Sequence, residues 1–155
     1  MSLAMLNNPH HKWMQVAILE AKKAFDFKEV PVGAVVVKNG VILGKGHNMI
    51  ERLSDPTAHA EMLALTAATD TLGSKYLHGA TIYVTLEPCP MCAGAIVLAR
   101  LQNLVFGAFD AKSGAASTLY NIPQDPRLNH HVDIISGVEE DICSLLLKSF
   151  FEDRR

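Results

Sequence analysis

Apolar and polar positions along the chain follow two rhythms, and together they predict the elements in order. From Pro9 to about Phe25, Trp13, Met14, Ala17, Ile18, Ala21 and Phe25 recur at helical spacing, while Lys12, Glu20, Lys22 and Lys23 lie mostly elsewhere. That pattern predicts an amphipathic helix, with Trp13 facing the core and Pro31 ending the region. Gly33 to Lys38 and Val41 to Gly46 are two strand-like runs around Asn39-Gly40. Asn-Gly between apolar runs predicts a hairpin over 32–47, because both turn positions need φ > 0. A polar loop is expected from Asn48 to Ser54. Asp55-Pro56 then predicts the start of a second helix running through His59, Glu61 and Leu65 toward Thr69, with Asp55 as its cap.

Thr81 to Leu86 reads as a strand buried on both faces. Pro88 and Pro90 lead into an Ala-rich helix, Met91 to Arg100, and Leu104 to Phe109 is a short strand. Residues 114–131 look irregular, and Val132 to Ser136 is a fifth strand. The last segment, Val138 to Phe151, carries Ile142, Leu145, Leu146, Phe150 and Cys143 and predicts a packed helix before Asp153-Arg154-Arg155. Strand–helix–strand units with short links call for an α/β fold, a central sheet with helices on both faces. One domain over 1–155 is expected, since no linker, repeat or low-complexity tract interrupts the chain.

Composition narrows the class. With 155 residues, 49% hydrophobic and 19% charged, the chain has the make-up of a soluble globular protein. No apolar run approaches the roughly eighteen residues of a membrane span. Met1 to His11 lacks a basic start followed by an apolar core, so no signal peptide is expected and the cytoplasm is the expected location. A net charge of −2 gives no global attraction to nucleic acid, so a polyanion partner would need a local basic patch. Of three cysteines, Cys89 and Cys92 form a Cys-x-x-Cys, which in a reducing compartment favours metal or redox chemistry over a disulfide.

The candidate chemistry lies in Thr57-Ala58-His59-Ala60-Glu61 and Pro88-Cys89-Pro90-Met91-Cys92. One histidine and two cysteines are the three donors a catalytic zinc takes while leaving its fourth position to water. Cys89 and Cys92 share one side of a first helical turn, where the helix N-terminus favours thiolate. In mid-helix His59 and Glu61 would point roughly 200° apart, so they share a centre only if the ion sits beyond the helix start. Glu61 is expected to move the water's proton rather than bind metal. A surface His-x-Glu pair and a redox Cys-x-x-Cys are the plain readings of each segment alone. A structural zinc would need a fourth protein ligand, and Cys143, the spare thiol, reads better as a small core residue.

These two segments resemble the zinc-dependent cytidine and nucleobase deaminase superfamily. Glu29 to Val35, Gly46-His47-Asn48, Asp55 to Glu61, Val84 to Cys89, Cys92 to Ala95, Val105 to Ala108, Asp110 to Ala115 and Leu128-Asn129-His130 are similar to stretches of the bacterial tRNA adenosine deaminases. The resemblance implies a three-layer α/β/α cytidine-deaminase-like fold with a five-stranded mixed sheet. It implies one zinc ion per subunit on His59, Cys89 and Cys92, and hydrolytic loss of an exocyclic amine, with Glu61 protonating the ring nitrogen and then the departing ammonia. It further implies a homodimer acting on the wobble adenosine of a tRNA anticodon. Asn48 would hydrogen-bond the target base, Val30, Pro31 and Leu86 would wall its pocket, and Asp110 with Lys112 would touch neighbouring nucleotides. The plain readings are that Asn48 caps a loop and that Asp110-Ala111-Lys112 is a solvated turn. Two rival functions remain: deamination of a small base or nucleoside (guanine, cytosine, cytidine or deoxycytidylate), and a zinc-binding scaffold without catalysis, against which Glu61 argues.

Overall fold

The computed structural model describes residues 8–153, so Arg154 and Arg155 of the tail, and the first seven residues of the stretch read for a leader, lie outside it. Helix α1, Pro9–Asp26, starts where expected: Asn8 Oδ1 accepts from the His10 amide at 2.9 Å, and Pro9 occupies the first turn, where no amide is missed. Its buried face is Met14, Ala17, Ile18, Ala21 and Ala24, with Trp13 half-buried at the edge. Strands β1, Gly33–Lys38, and β2, Val41–His47, form the expected hairpin, with Asn39 and Gly40 at φ 51° and 74°. A four-residue helix α2, Ile50–Leu53, follows, then α3, Ala60–Leu72; β3, Thr81–Leu86; α4, Pro90–Leu98; β4, Asn103–Ala108; β5, Asp133–Ile135; and α5, Glu140–Glu152.

The sheet runs β2-β1-β3-β4-β5, antiparallel at β2/β1 and β1/β3 and parallel at β3/β4 and β4/β5, so it is mixed as expected. Alternation along the strands divides the core in two. Ala34, Val36, Ile82, Val84, Leu104 and Phe106 pack with Ala60, Ala64, Ile96 and Val97 of α3 and α4. Val35, Val37, Tyr83 and Val105 pack with Met14, Ala17 and Ile18 of α1 and Cys143 of α5. This is the three-layer arrangement, and Cys143 sits in the core of the layer away from α3 and α4.

Three expectations are corrected. The loop expected over 48–54 contains α2, because the buried Glu29 carboxylate accepts from the Glu51 and Arg52 amides at 3.0 and 2.9 Å and organises that turn. The second helix begins at Ala60 rather than at Asp55-Pro56. Asp55 Oδ1 instead accepts from the Thr57 amide and hydroxyl, closing a local turn. The third concerns boundaries: β4 ends before Phe109, which is exposed, and β5 spans three residues.

Close approach of β2 to α3 depends on two glycines. A Cβ on Gly46 would fall 2.5 Å from the Ala60 carbonyl oxygen, and one on Gly44 would fall 2.6 Å from the Ala68 amide. Backbone cannot yield as a side-chain tip can. Gly46→Ala is therefore expected to lower stability by about 1–3 kcal/mol, the range of overpacking strain, as read by chemical denaturation. A variant as stable as the wild type would show that β2 and α3 can separate freely.

Candidate active site

His59 occupies the N-cap position of α3, with φ −78° and ψ 151°, so its backbone is extended rather than helical. Glu61 is inside the first turn. This resolves the angular conflict between residues two apart: the histidine leaves the chain before the helical rotation begins. The cap hydrogen bond comes from elsewhere, since Asn48 Oδ1 accepts from the Ala60 amide at 2.8 Å. Cys89 is likewise the N-cap residue of α4, and Cys92 lies one turn further on. Two helix N-termini therefore deliver all three donors to one point.

His59 Nδ1 lies 3.6 Å from Cys89 Sγ and 3.5 Å from Cys92 Sγ. A tetrahedral zinc with Zn–N about 2.05 Å and Zn–S about 2.3 Å separates its nitrogen and sulfur ligands by about 3.6 Å. Both nitrogen–sulfur separations match that ion, and the trio could hold a metal. Among the described residues the candidate ligand group comprises these three, and Cys143 belongs to the opposite layer.

The electrostatics suit a cation. A hydrogen bond from Cys92, opposed by burial and helped by His59, draws the Cys89 thiol down to about 4. The same bond and burial push Cys92 up, while the contact with Cys89 raises His59. These shifts favour the thiolate at Cys89, and because a metal takes deprotonated cysteines and a neutral imidazole, binding a divalent ion at the trio would release protons. Glu61 is 4% exposed, and burial lifts its carboxyl to about 7, with His59 and Cys92 close enough to oppose the rise. An acid titrating near neutrality is suited to taking and returning a proton.

The other expected site residues are distributed around this centre. Val30 and Pro31 enter β1 beside Asn48, whose amide donates to Val32 O at 3.2 Å. Leu86, half-buried, ends β3 three residues before Cys89. Asn48 is buried; with Oδ1 spent on the α3 cap, its Nδ2 donors carry no hydrogen bond among the described residues. Asp110 Oδ1 accepts from the Lys112 and Ser113 amides at 3.0 and 3.1 Å, so it shapes its own turn, and the Lys112 side chain is exposed. No described hydrogen bond joins that turn to the ligand trio directly.

Sequence reasoning missed three buried carboxylates: Glu20, expected on the polar side of α1, is buried and paired with Lys23, and the other two organise backbone. Glu29 holds α2, as described. Glu87, 1% exposed and adjacent to Pro88, accepts from the amides of Asp110, Ala116, Ser117 and Thr118 and from the Thr118 hydroxyl. Burial raises its pKa, but the hydrogen bonds from Thr118, Asp110 and Ser117 outweigh that and hold it below the ordinary carboxylate value. The available signal was a charge between the end of an apolar strand and a proline.

A mixed five-stranded sheet that brings His, Cys and Cys together at two helix N-termini, with a buried glutamate beside them, defines the deaminase class. The MafB19-like deaminase model matches residues 8–155. The tRNA-specific adenosine deaminase of Bacillus subtilis is 52% identical over 143 residues, 92% of this chain and 89% of that protein. A solved structure from studies of A-to-I editing by tRNA deaminases at the wobble position superimposes with TM-score 0.84 at 40% identity, covering 88% of this chain and 99% of that one. The guanine deaminase of Bacillus subtilis is further off, at 30% identity and TM-score 0.62 over 71% of this chain and 81% of its own. The chain belongs to the MafB19-like deaminase family, and among its members to the group of the tRNA-specific adenosine deaminases.

Proposed function

We propose that this chain hydrolytically deaminates adenosine to inosine at the wobble position of a tRNA anticodon, as one zinc-dependent domain over residues 1–155. The observation that carries the reaction is the zinc-like spacing of His59 Nδ1, Cys89 Sγ and Cys92 Sγ beside the buried Glu61. The 52% identity to a tRNA-specific adenosine deaminase supports the substrate. His59, Cys89 and Cys92 would hold zinc, which when bound supplies an activated water at its fourth position. Glu61 would take one proton from the attacking water and pass it to the ring nitrogen, then carry the second proton of that oxygen to the amino group, which leaves as ammonia.

Asn48 is arranged to donate through Nδ2 to an acceptor on the base. Val30, Pro31 and Leu86 form apolar walls, and Asp110 and Lys112 meet the flanking nucleotides. A loop base is already unstacked, so extruding it costs little and stacking returns about 1–3 kcal/mol. Binding therefore does not require a strongly basic chain. Leu98, 77% exposed, lines a groove of about 300 Å³ together with Met62, Leu65, Tyr76 and Ala95, and this largely apolar surface supports a homodimer. Among the described residues no helix is long and apolar enough to cross a membrane; a tRNA substrate supports the cytoplasm as the location.

The test is to incubate zinc-loaded protein separately with an adenosine-wobble tRNA, guanine and cytidine, measuring inosine and ammonia. Inosine from the tRNA, with little ammonia from the free compounds, is expected. Ammonia from guanine or cytidine and none from the tRNA would replace this reading with a small-molecule one.

A further inference from the structure

Glu87 takes no part in the proposed reaction, yet the structure spends five donors on it. Its Oε1 accepts from the Asp110 amide at 3.1 Å and the Thr118 hydroxyl at 2.5 Å. Its Oε2 accepts from the amides of Ala116, Ser117 and Thr118 at 3.2, 2.8 and 2.8 Å. A carboxylate offers about four lone-pair sites, so this one is saturated. The loop from Asp110 to Thr118 has no helix or strand of its own and is wrapped around the anion. A Cβ on Gly114 would collide with the Glu87 carboxylate, so the loop backbone lies directly against it. The main chain repeats the tie: the Ala115 amide donates to Pro88 O at 2.9 Å, and the Glu87 amide donates to Ala108 O at 2.8 Å.

Glu87 is two residues from Cys89, and the loop it holds carries Asp110 and Lys112. We infer that Glu87 is a positioning residue for the RNA substrate: its buried carboxylate fixes the Asp110–Thr118 loop against the metal-ligand segment. Nucleotides flanking the target base are then held in register with the site. This rests on the reading of the chain as a tRNA deaminase. Neutral glutamine cannot replace the anion, because its NH₂ would face amide donors. Aspartate, a methylene shorter, cannot reach them all. The metal donors are held by the N-termini of α3 and α4, so zinc does not depend on this carboxylate.

The test uses the full zinc-loaded chain, an anticodon stem-loop RNA and Glu87→Gln. Zinc content is expected to be unchanged. KM for the RNA is expected to rise on the order of tenfold or more, the scale of one lost charge-assisted hydrogen bond, with a smaller fall in kcat. Trypsin is expected to cleave after Lys112 in the variant and not in the wild type. Thr118→Ser, which keeps the hydroxyl donor, should match the wild type, while Thr118→Val should raise KM in the same direction; this pair decides if Glu87→Gln does not fold. A Glu87→Gln enzyme that keeps zinc and the wild-type KM, losing only thermal stability, would overturn the inference, and so would one that loses zinc. A wild-type chain that turns over no RNA contradicts the substrate reading instead. In that case cleavage at Lys112 confined to the variant still supports the tie, and equal resistance of both chains refutes it.

Discussion

Glu61→Gln is expected to keep its zinc and lose turnover, with kcat lower by about 10²–10⁴-fold, the usual contribution of one positioned acid–base group. The side chain keeps its shape, so the first turn of α3 and the placement of His59 are undisturbed. The amide, however, can neither accept the proton from water nor release one to the leaving amine. Burial suits Glu61 to this role, because a carboxyl lifted to about 7 exchanges its proton near neutral pH, whereas an exposed one would remain ionised. Metal analysis alongside steady-state kinetics gives the readout. Loss of zinc in Glu61→Gln would mean that Glu61 is a ligand, and retained turnover would mean that the proton travels through another group.

His59→Ala is expected to abolish both metal binding and activity. Cys89 and Cys92 alone leave a two-donor site, short of the three protein ligands a catalytic zinc takes. The effect is separable from misfolding by following the melting temperature with and without added zinc. Ligand that binds only the folded state stabilises it by about 2.7 kcal/mol at about 100 times Kd. The wild type should therefore show a clear zinc-dependent rise that the variant lacks. Chelation should silence the wild type and zinc should restore it. Full activity after chelation would refute a metal-dependent reaction.

The parts of this fold that were legible share a local cause. Asn39-Gly40 demanded positive φ and marked the hairpin; the helical spacing of Met14, Ile18 and Ala21 marked α1; the strand-like runs of β1 and β3 in strand–helix–strand order marked a sheet covered on both faces. The His59, Cys89 and Cys92 cluster was legible because both segments sit at helix starts, where residue types and spacing are characteristic. What escaped was set by partners distant in sequence. The start of α3 was misplaced because its cap comes from Asn48, twelve residues upstream, leaving Asp55 to a turn of its own. Helix α2 depends on Glu29, more than twenty residues before it. Glu87 looked like one acid in a motif, and its role emerges only once a loop some thirty residues later folds over it. Buried carboxylates that collect backbone amides leave no periodic trace in a sequence.

The central claim is that water, activated beside Glu61, replaces an exocyclic amine in RNA. The most direct measurement is the reaction of zinc-loaded protein with an adenosine-wobble tRNA in ¹⁸O-labelled water, followed by nucleoside mass spectrometry. The expected result is inosine at the wobble position carrying one solvent oxygen, with an equivalent of ammonia released. Unlabelled inosine, or a tRNA left unchanged by protein shown to contain zinc, would contradict the account.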